Sequence, residues 1–222
     1  MEIKVIRNIL EANDRIAAEL RELFQSKKIL VLNLMSSPGA GKTTLLERTL
    51  TDLKADYTMA VIEGDLQTSN DAERVAATGA QALQINTEGG CHLDSSMIQQ
   101  AVRQLNLDDV DILFIENVGN LVCPAEFDVG EDHKITLLSV TEGDDKPEKY
   151  PVMFKLSTVV LLNKVDLQPY VDFSLDKAET TARSLNAEVT VLPLSCRTGE
   201  GLEPWYEWLR AAVKTKKAEL PG

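Results

Sequence analysis

Between Val5 and Phe24 the apolar residues Val5, Ile9, Ile16, Leu20, Leu23 and Phe24 stand at helical spacings among charged positions, which predicts an amphipathic helix. Beyond it the period shortens. Runs rich in aliphatic and β-branched residues at Ile29–Leu34, Thr58–Ile62, Ala82–Ile85, Ile112–Ile115, Ile135–Val140, Thr158–Leu162 and Val189–Leu192 predict strands. Helical patterns fill the gaps at Lys42–Asp52, Asn70–Ala77, Ser95–Leu105, Ser174–Leu185 and Leu202–Lys216. This alternation predicts an α/β fold with a mainly parallel sheet of about seven strands and helices on both faces. Residues 1–27 are expected to form a helical extension packed on one domain spanning 28–222. The polar run Thr141–Lys149 reads as a loop and Lys214–Gly222 as a fraying tail. In such sheets ligands bind beyond the carboxyl ends of the strands, so the residues following each strand are where chemistry is sought.

The first strand runs into Ser36-Ser37-Pro38-Gly39-Ala40-Gly41-Lys42-Thr43, and a helix follows. Gly39 and Gly41 permit the backbone turns that let successive N–H groups converge on phosphate oxygens, and the helix N-terminus adds its partial positive charge. Lys42 supplies a cation for the β- and γ-phosphates, and the Thr43 hydroxyl is placed to ligate Mg²⁺. Ser36 stands where the usual pattern has its first glycine. A strand before and a helix after distinguish this stretch from a chance glycine turn, so the fold expected is the three-layer P-loop NTPase sandwich. The candidate phosphate-binding residues are Ser37, Pro38, Gly39, Ala40, Gly41, Lys42, Thr43 and Thr44.

After Thr158–Leu162 comes Asn163-Lys164-Val165-Asp166. A carboxylate at Asp166 can accept from the guanine N1–H and exocyclic amine, the Lys164 stem can cover the base, and Asn163 can brace the loop. Ser195-Cys196-Arg197 ends the next strand, where a small-residue loop would lie against the guanine, and Cys196 there reads as packing rather than as a metal ligand. Glu116-Asn117-Val118-Gly119 ends another strand and resembles a switch. Glu116 can hold Mg²⁺ through water or polarise the attacking water, and the Gly119 N–H can sense the γ-phosphate. Asp65, in Glu63-Gly64-Asp65, is the second carboxylate expected near Mg²⁺. The candidate catalytic residues are Lys42, Asp65 and Glu116; the alternative for either carboxylate is a helix cap or a loop acid, and their shared strand-end position favours function.

Two of the three cysteines and one of the two histidines lie in Gly89-Gly90-Cys91-His92 and Val122-Cys123-Pro124. If adjacent strands bring Cys91, His92 and Cys123 together, thiolates and imidazole suit Zn²⁺ or Ni²⁺; the alternative is a pair of inert buried cysteines. Three ligands do not close a four-coordinate structural site, which leaves an open position or a second chain to supply the rest. His133 reads as polar surface.

A formal charge of -12 argues against general nucleic-acid binding, so polyphosphate must be held locally. No apolar run reaches the roughly 20 residues of a membrane helix. The start Met1-Glu2-Ile3-Lys4 lacks a secretory pattern and three cysteines cannot all pair within one chain, so a reducing cytoplasm is expected.

From about Ile29 to Trp208 the chain resembles the HypB family of hydrogenase maturation GTPases, relatives of the urease accessory GTPase UreG. The resemblance is carried by Asn33–Thr43, Glu63-Gly64-Asp65, Cys91-His92-Leu93-Asp94, Glu116-Asn117-Val118-Gly119-Asn120-Leu121-Val122-Cys123-Pro124, Lys149-Tyr150-Pro151 and Asn163-Lys164-Val165-Asp166. UreG-like chains are similar but read Cys-Pro-His where this one has Cys91-His92. The resemblance implies nickel delivery to the large subunit of [NiFe] hydrogenase together with the metallochaperone HypA. It also implies GTP-dependent homodimerisation with Cys91, His92 and Cys123 of both chains at the interface. Some members carry a cysteine- or histidine-rich N-terminal segment; this sequence shows none, so high-affinity nickel storage is not implied. Two other readings remain at the level of sequence: a UreG-like GTPase maturing another nickel enzyme, and a metal-binding scaffold whose nucleotide is structural.

Overall fold

A computed structural model describes residues 4–65 and 70–219 of the chain. The first helix, α1 (Lys4–Ser26), leads into seven strands: β1 (Leu30–Ser36), β2 (Met59–Asp65), β3 (Gln81–Asn86), β4 (Ile112–Glu116), β5 (His133–Ser139), β6 (Val159–Asn163) and β7 (Thr190–Pro193). The other helices are α2 (Lys42–Leu53), α3 (Asn70–Ala76), α4 (Ser95–Val102), α5 (Cys123–Glu126), α6 (Lys146–Lys149), α7 (Pro151–Leu156), α8 (Leu175–Leu185) and α9 (Leu202–Ala218), with a 3-10 helix at Val165–Tyr170. The strands form one sheet in the order β3-β2-β4-β1-β5-β6-β7, and every pairing is parallel.

Alternation along β1 shows how the layers arise. Leu30, Leu32 and Leu34 face a core completed by Leu45, Leu46 and Leu50 of α2 and by Trp205 and Leu209 of α9. Val31 faces the opposite way, into a cluster with Leu20 and Phe24 of α1 and Ile98 of α4, while Met35 joins a third cluster with Phe154 of α7 and Ala178 of α8. Asn33 lies between those two residues on the same face, at the seam between the clusters. Because both faces are covered, β1 is buried throughout.

Several expectations need correction. Glu63 and Asp65 belong to β2, and Glu116 to β4, so these acids occupy the last strand residues rather than the loops after them. Strands β3 and β4 are not neighbours, since β2 lies between them. One helical turn, α6, closes the loop expected at Thr141–Lys149, because Asp145 pairs with Lys149 and Pro147 sits in the first turn. The tail expected to fray continues as α9 to Ala218; Lys216 is only 4% exposed, with Nζ 2.6 Å from Asp132, and Lys217 reaches Asp111 at 2.6 Å. His133 is half-buried rather than surface: its ring meets Trp208 edge-on at 5.1 Å and Nδ1 lies 3.3 Å from Thr158 Oγ1. The side chains of Val5 and Ile9, placed on the apolar face of the first helix, lie outside the described residues, as do residues 220–222 of the tail.

Candidate functional site

Beyond the carboxyl ends of β1, β2 and β4 lies a cleft of about 410 Å³. The loop from β1 to α2 forms its floor. Gly39 at φ +77° and Gly41 at φ +107° take left-handed conformations, and among the described residues no side chain caps the α2 N-terminus. The start of α2 lines the cleft, and a helix N-terminus presents its first N–H groups and partial positive charge to an anion. Lys42 Nζ donates to Ser36 Oγ at 2.9 Å, so the serine in the atypical position holds the lysine. Thr43 Oγ1 donates to Glu116 Oε1 at 2.9 Å, which joins the loop to the end of β4. Gly119 lies close by: a Cβ there would come within 2.9 Å of Pro38 N, so only glycine lets this backbone press on the phosphate loop.

Asp65 and Glu63 line the cleft from β2, and Glu63 pairs in register with Glu116. A threonine hydroxyl with carboxylate oxygens from two strands is the hard donor set that suits Mg²⁺ beside phosphates. Arg74 of α3 also lines the cleft, where its guanidinium holds Glu47 and donates to Thr44 Oγ1 at 3.3 Å. Sequence reasoning missed Arg74, and named Glu63 only as part of a motif.

At the other end Asn163 and Lys164 strap the loop. Asn163 Nδ2 donates to Ala40 O at 2.8 Å and Lys164 Nζ to Gly39 O at 2.7 Å. Lys164 adopts φ +65°, a left-handed turn that carries the chain toward Asp166. Asp166 accepts from Ser195 Oγ at 2.6 Å, and Cys196 N donates to Asn163 Oδ1 at 3.2 Å, so the two loops form one unit. Burial pushes the Cys196 thiol up to about 12, which keeps it protonated and unreactive. Asp166, Ser195 and Cys196 lie outside the lining of the cleft, whereas Lys164 belongs to it. Ser37 Oγ donates to Glu142, which also accepts from Ser139 N, a contact without a sequence signal.

The second cluster stands over β2. Cys91, His92 and Cys123 offer three ligand atoms within 4.8 Å of one another. The loops meet although β3 and β4 do not: Thr87 N donates to Asp65 O at 3.0 Å, and Asn120 Nδ2 to Cys91 O at 3.3 Å. A hydrogen bond with the Cys123 thiol, and burial, hold the Cys91 thiol above its ordinary range. Burial lowers His92, whose ring lies 3.8 Å from that of Phe127, so the imidazole is neutral and available as a ligand near pH 7. Two sulfurs and one imidazole fit Zn²⁺ or Ni²⁺, and three protein donors leave a position for exchange.

A phosphate-cradling loop beside oxygen donors and an Asn-Lys-x-Asp strap makes this a P-loop nucleotide-binding protein. Residues 30–193 match the model of the CobW/HypB/UreG nucleotide-binding domain family. The hydrogenase maturation factor HypB of Escherichia coli (strain K12) is 55% identical over 207 residues, covering 93% of this chain and 71% of that protein. The crystal structure of HypB from Helicobacter pylori in complex with nickel superposes with a TM-score of 0.88 at 41% identity, over 92% of this chain and 96% of that one. That of HypB from Archaeoglobus fulgidus gives 0.87 at 36% identity, over 92% and 100%. The chain belongs to the HypB family of hydrogenase maturation factors. Among the described residues no helix is long and apolar enough to cross a membrane.

Proposed function

We propose that the chain binds Mg²⁺-GTP in the cleft, hydrolyses it slowly, and uses the nucleotide state to control a metal ion held by Cys91, His92 and Cys123. The task served is nickel insertion into [NiFe] hydrogenase in the cytoplasm, with the HypA metallochaperone and the hydrogenase large subunit as partners. In this reading residues 1–27 extend a GTPase domain spanning 28–222. The observation that carries the proposal is the pairing of two sites: three soft or borderline donors within 4.8 Å stand beside a cleft that shares Gly64 and Asp65 with their support.

Within the cleft the α2 N-terminus and Lys42 would bind the phosphates, Asp166 would select guanine, and Glu116 or Asp65 would orient the attacking water. Bound Mg²⁺ would neutralise phosphate charge, held by Thr43 with Asp65 and Glu116. The metal at the thiol cluster is cargo, taken up with release of the Cys91 proton. A homodimer is supported by exposed apolar residues near the cluster: Val122 is 58% exposed, and Val152 and Leu156 of the adjacent α7 are each 45% exposed. Two copies meeting there would bring six donors together.

Steady-state phosphate release with GTP, ATP and xanthosine triphosphate tests the enzymatic part. The wild type is expected to turn over GTP and not ATP, Lys42→Ala to lose at least about 100-fold with native circular dichroism, and Asp166→Asn to shift preference toward xanthosine triphosphate. Full activity of Lys42→Ala defeats the cleft assignment, and unchanged base preference in Asp166→Asn defeats the guanine assignment. Affinity capture separates hydrogenase proteins and HypA from urease proteins as partners.

A further inference from the structure

Asn117 sits between the two residues that touch the phosphate loop, yet its side chain points away from them. Glu116 before it accepts from Thr43, and Gly119 after it presses on Pro38. The Asn117 side chain turns into the interior, where the residue is 1% exposed. Its Oδ1 accepts two backbone N–H groups, from Val118 at 3.0 Å and from Leu93 at 3.0 Å. Two N–H donors around one atom fix that atom as the oxygen. Leu93 follows His92 directly, and its side chain packs on Gly64, where a Cβ would come within 2.7 Å.

From the other end of Asn117 a buried chain of polar groups continues. Nδ2 donates to Asn33 Oδ1 at 3.2 Å, and Asn33 Nδ2 donates to Glu131 Oε1 at 3.3 Å. Glu131 also accepts from Val129 N at 2.7 Å and pairs with Lys134 at 2.6 Å. Lys134 Nζ donates to Phe127 O at 2.9 Å, and Phe127 is the ring against His92. The chain thus starts at the amide beside His92 and ends at the backbone carbonyl of Phe127, whose ring lies against the same imidazole. A buried network with its members satisfied holds one geometry, and displacing one member disturbs the next.

We propose that Asn117 is a positioning residue that couples the nucleotide cleft to the metal loop by sharing one oxygen between the N–H groups of Val118 and Leu93. Drawing Val118 and Gly119 toward a γ-phosphate pulls that oxygen from Leu93, and the loop carrying Cys91 and His92 is released from its anchor. This inference rests on the reading of the cleft as a GTP site and of the cluster as a metal site. By linkage the factor must be reciprocal, and allosteric couplings of this kind fall in the range of about 5–150-fold.

The test uses the full chain with Mg²⁺ and either GDP or a non-hydrolysable GTP analogue, and Ni²⁺ as the probe metal. Ni²⁺ affinity is measured by competition with a chromophoric chelator in each nucleotide state, and nucleotide affinity with and without Ni²⁺. The wild type is expected to give the same factor in both directions. Asn117→Ala, which removes the shared acceptor, should bring the factor close to one while both ligands still bind. A wild-type factor in Asn117→Ala overturns the proposal. A factor of one in the wild type also overturns it, but leaves the two sites standing if GTP and Ni²⁺ each bind. Amide hydrogen exchange of Leu93 in the wild-type protein gives a measurement independent of any variant. Exchange should be about tenfold faster with the GTP analogue than with GDP, since the opening free energy of one amide is what the shared oxygen changes. Equal protection in the two states overturns the proposal.

Discussion

The contact between Gly64 and Leu93 yields a prediction with a defined sign and size. A Cβ on Gly64 would lie 2.7 to 2.9 Å from three carbons of the Leu93 side chain, which is itself fully buried. Gly64 is a strand residue without a left-handed φ, so alanine suits its backbone and gains about 0.5–1 kcal/mol by restricting the unfolded chain. Against that gain stands overpacking of about 1–3 kcal/mol. Gly64→Ala should therefore lose up to about 2.5 kcal/mol, or up to roughly 10 °C in Tm at about 2–4 °C per kcal/mol. Leu93→Ala, which opens a cavity, should lose about 2–5 kcal/mol. The double variant removes the clash and partly fills the space, so it should be no less stable than Leu93→Ala alone, an interaction energy of about 1–3 kcal/mol. Urea unfolding followed by the fluorescence of Trp205 and Trp208 measures all three. Additivity within about 0.5 kcal/mol would refute the steric account. The same Gly64→Ala variant should weaken Ni²⁺ binding, because Leu93 can yield only by shifting the loop that carries His92.

Other changes reach separate parts of the site. Gly41→Ala places a methyl at φ +107° and 2.5 Å from Asn163 Nδ2, so stability should fall by about 2–4 kcal/mol from backbone strain and the lost Asn163 hydrogen bond, and equilibrium dialysis should show nucleotide binding reduced at least tenfold. Cys91→Ser removes an exposed thiol: Ni²⁺ affinity measured by chelator competition should drop at least about tenfold while unfolding free energy changes by less than about 0.5 kcal/mol. His133, lowered by burial below its ordinary 6.5, binds its proton less readily when folded than when unfolded. Its contribution to stability is therefore full above pH 6.5 and falls as pH drops toward the folded value. The stability gap between wild type and His133→Gln should shrink below that pH in urea titrations; a constant gap from pH 7.5 to 5 contradicts this.

The strand pattern and the phosphate loop were legible because each depends on local sequence: β1 is a largely apolar run, and Gly39, Gly41 and Lys42 stand at fixed offsets after it. The short helices α5 and α7 were not, since four and six residues are too few for a 3.6-residue period to declare itself. Asn33 is a polar residue within a largely apolar strand. Its partners, Asn117 and Glu131, lie 84 and 98 residues away, so only the folded chain shows that its buried amide is satisfied. Arg74 went unremarked for a related reason. One arginine on a short helix carries no signal until α3 packs on α2 and sets it against Thr44 and Glu47.

Sheet order explains why the two sites are close at all. Cys91 and His92 follow β3 and Cys123 follows β4, and β2 separates those strands. Two strand spacings amount to about 9–10 Å, so the donors can come within 4.8 Å only if the loops reach over the end of β2. That end is Glu63-Gly64-Asp65, where Thr87 is fastened to Asp65 and Leu93 rests on Gly64. The same residues line the cleft. Support for the metal loop and wall of the nucleotide cleft are therefore one piece of backbone. A glycine in its centre fits that double duty, because any side chain there would separate the loop from the strand. On this geometry, a ligand that moves the end of β2 or β4 also moves the surface on which the metal donors stand.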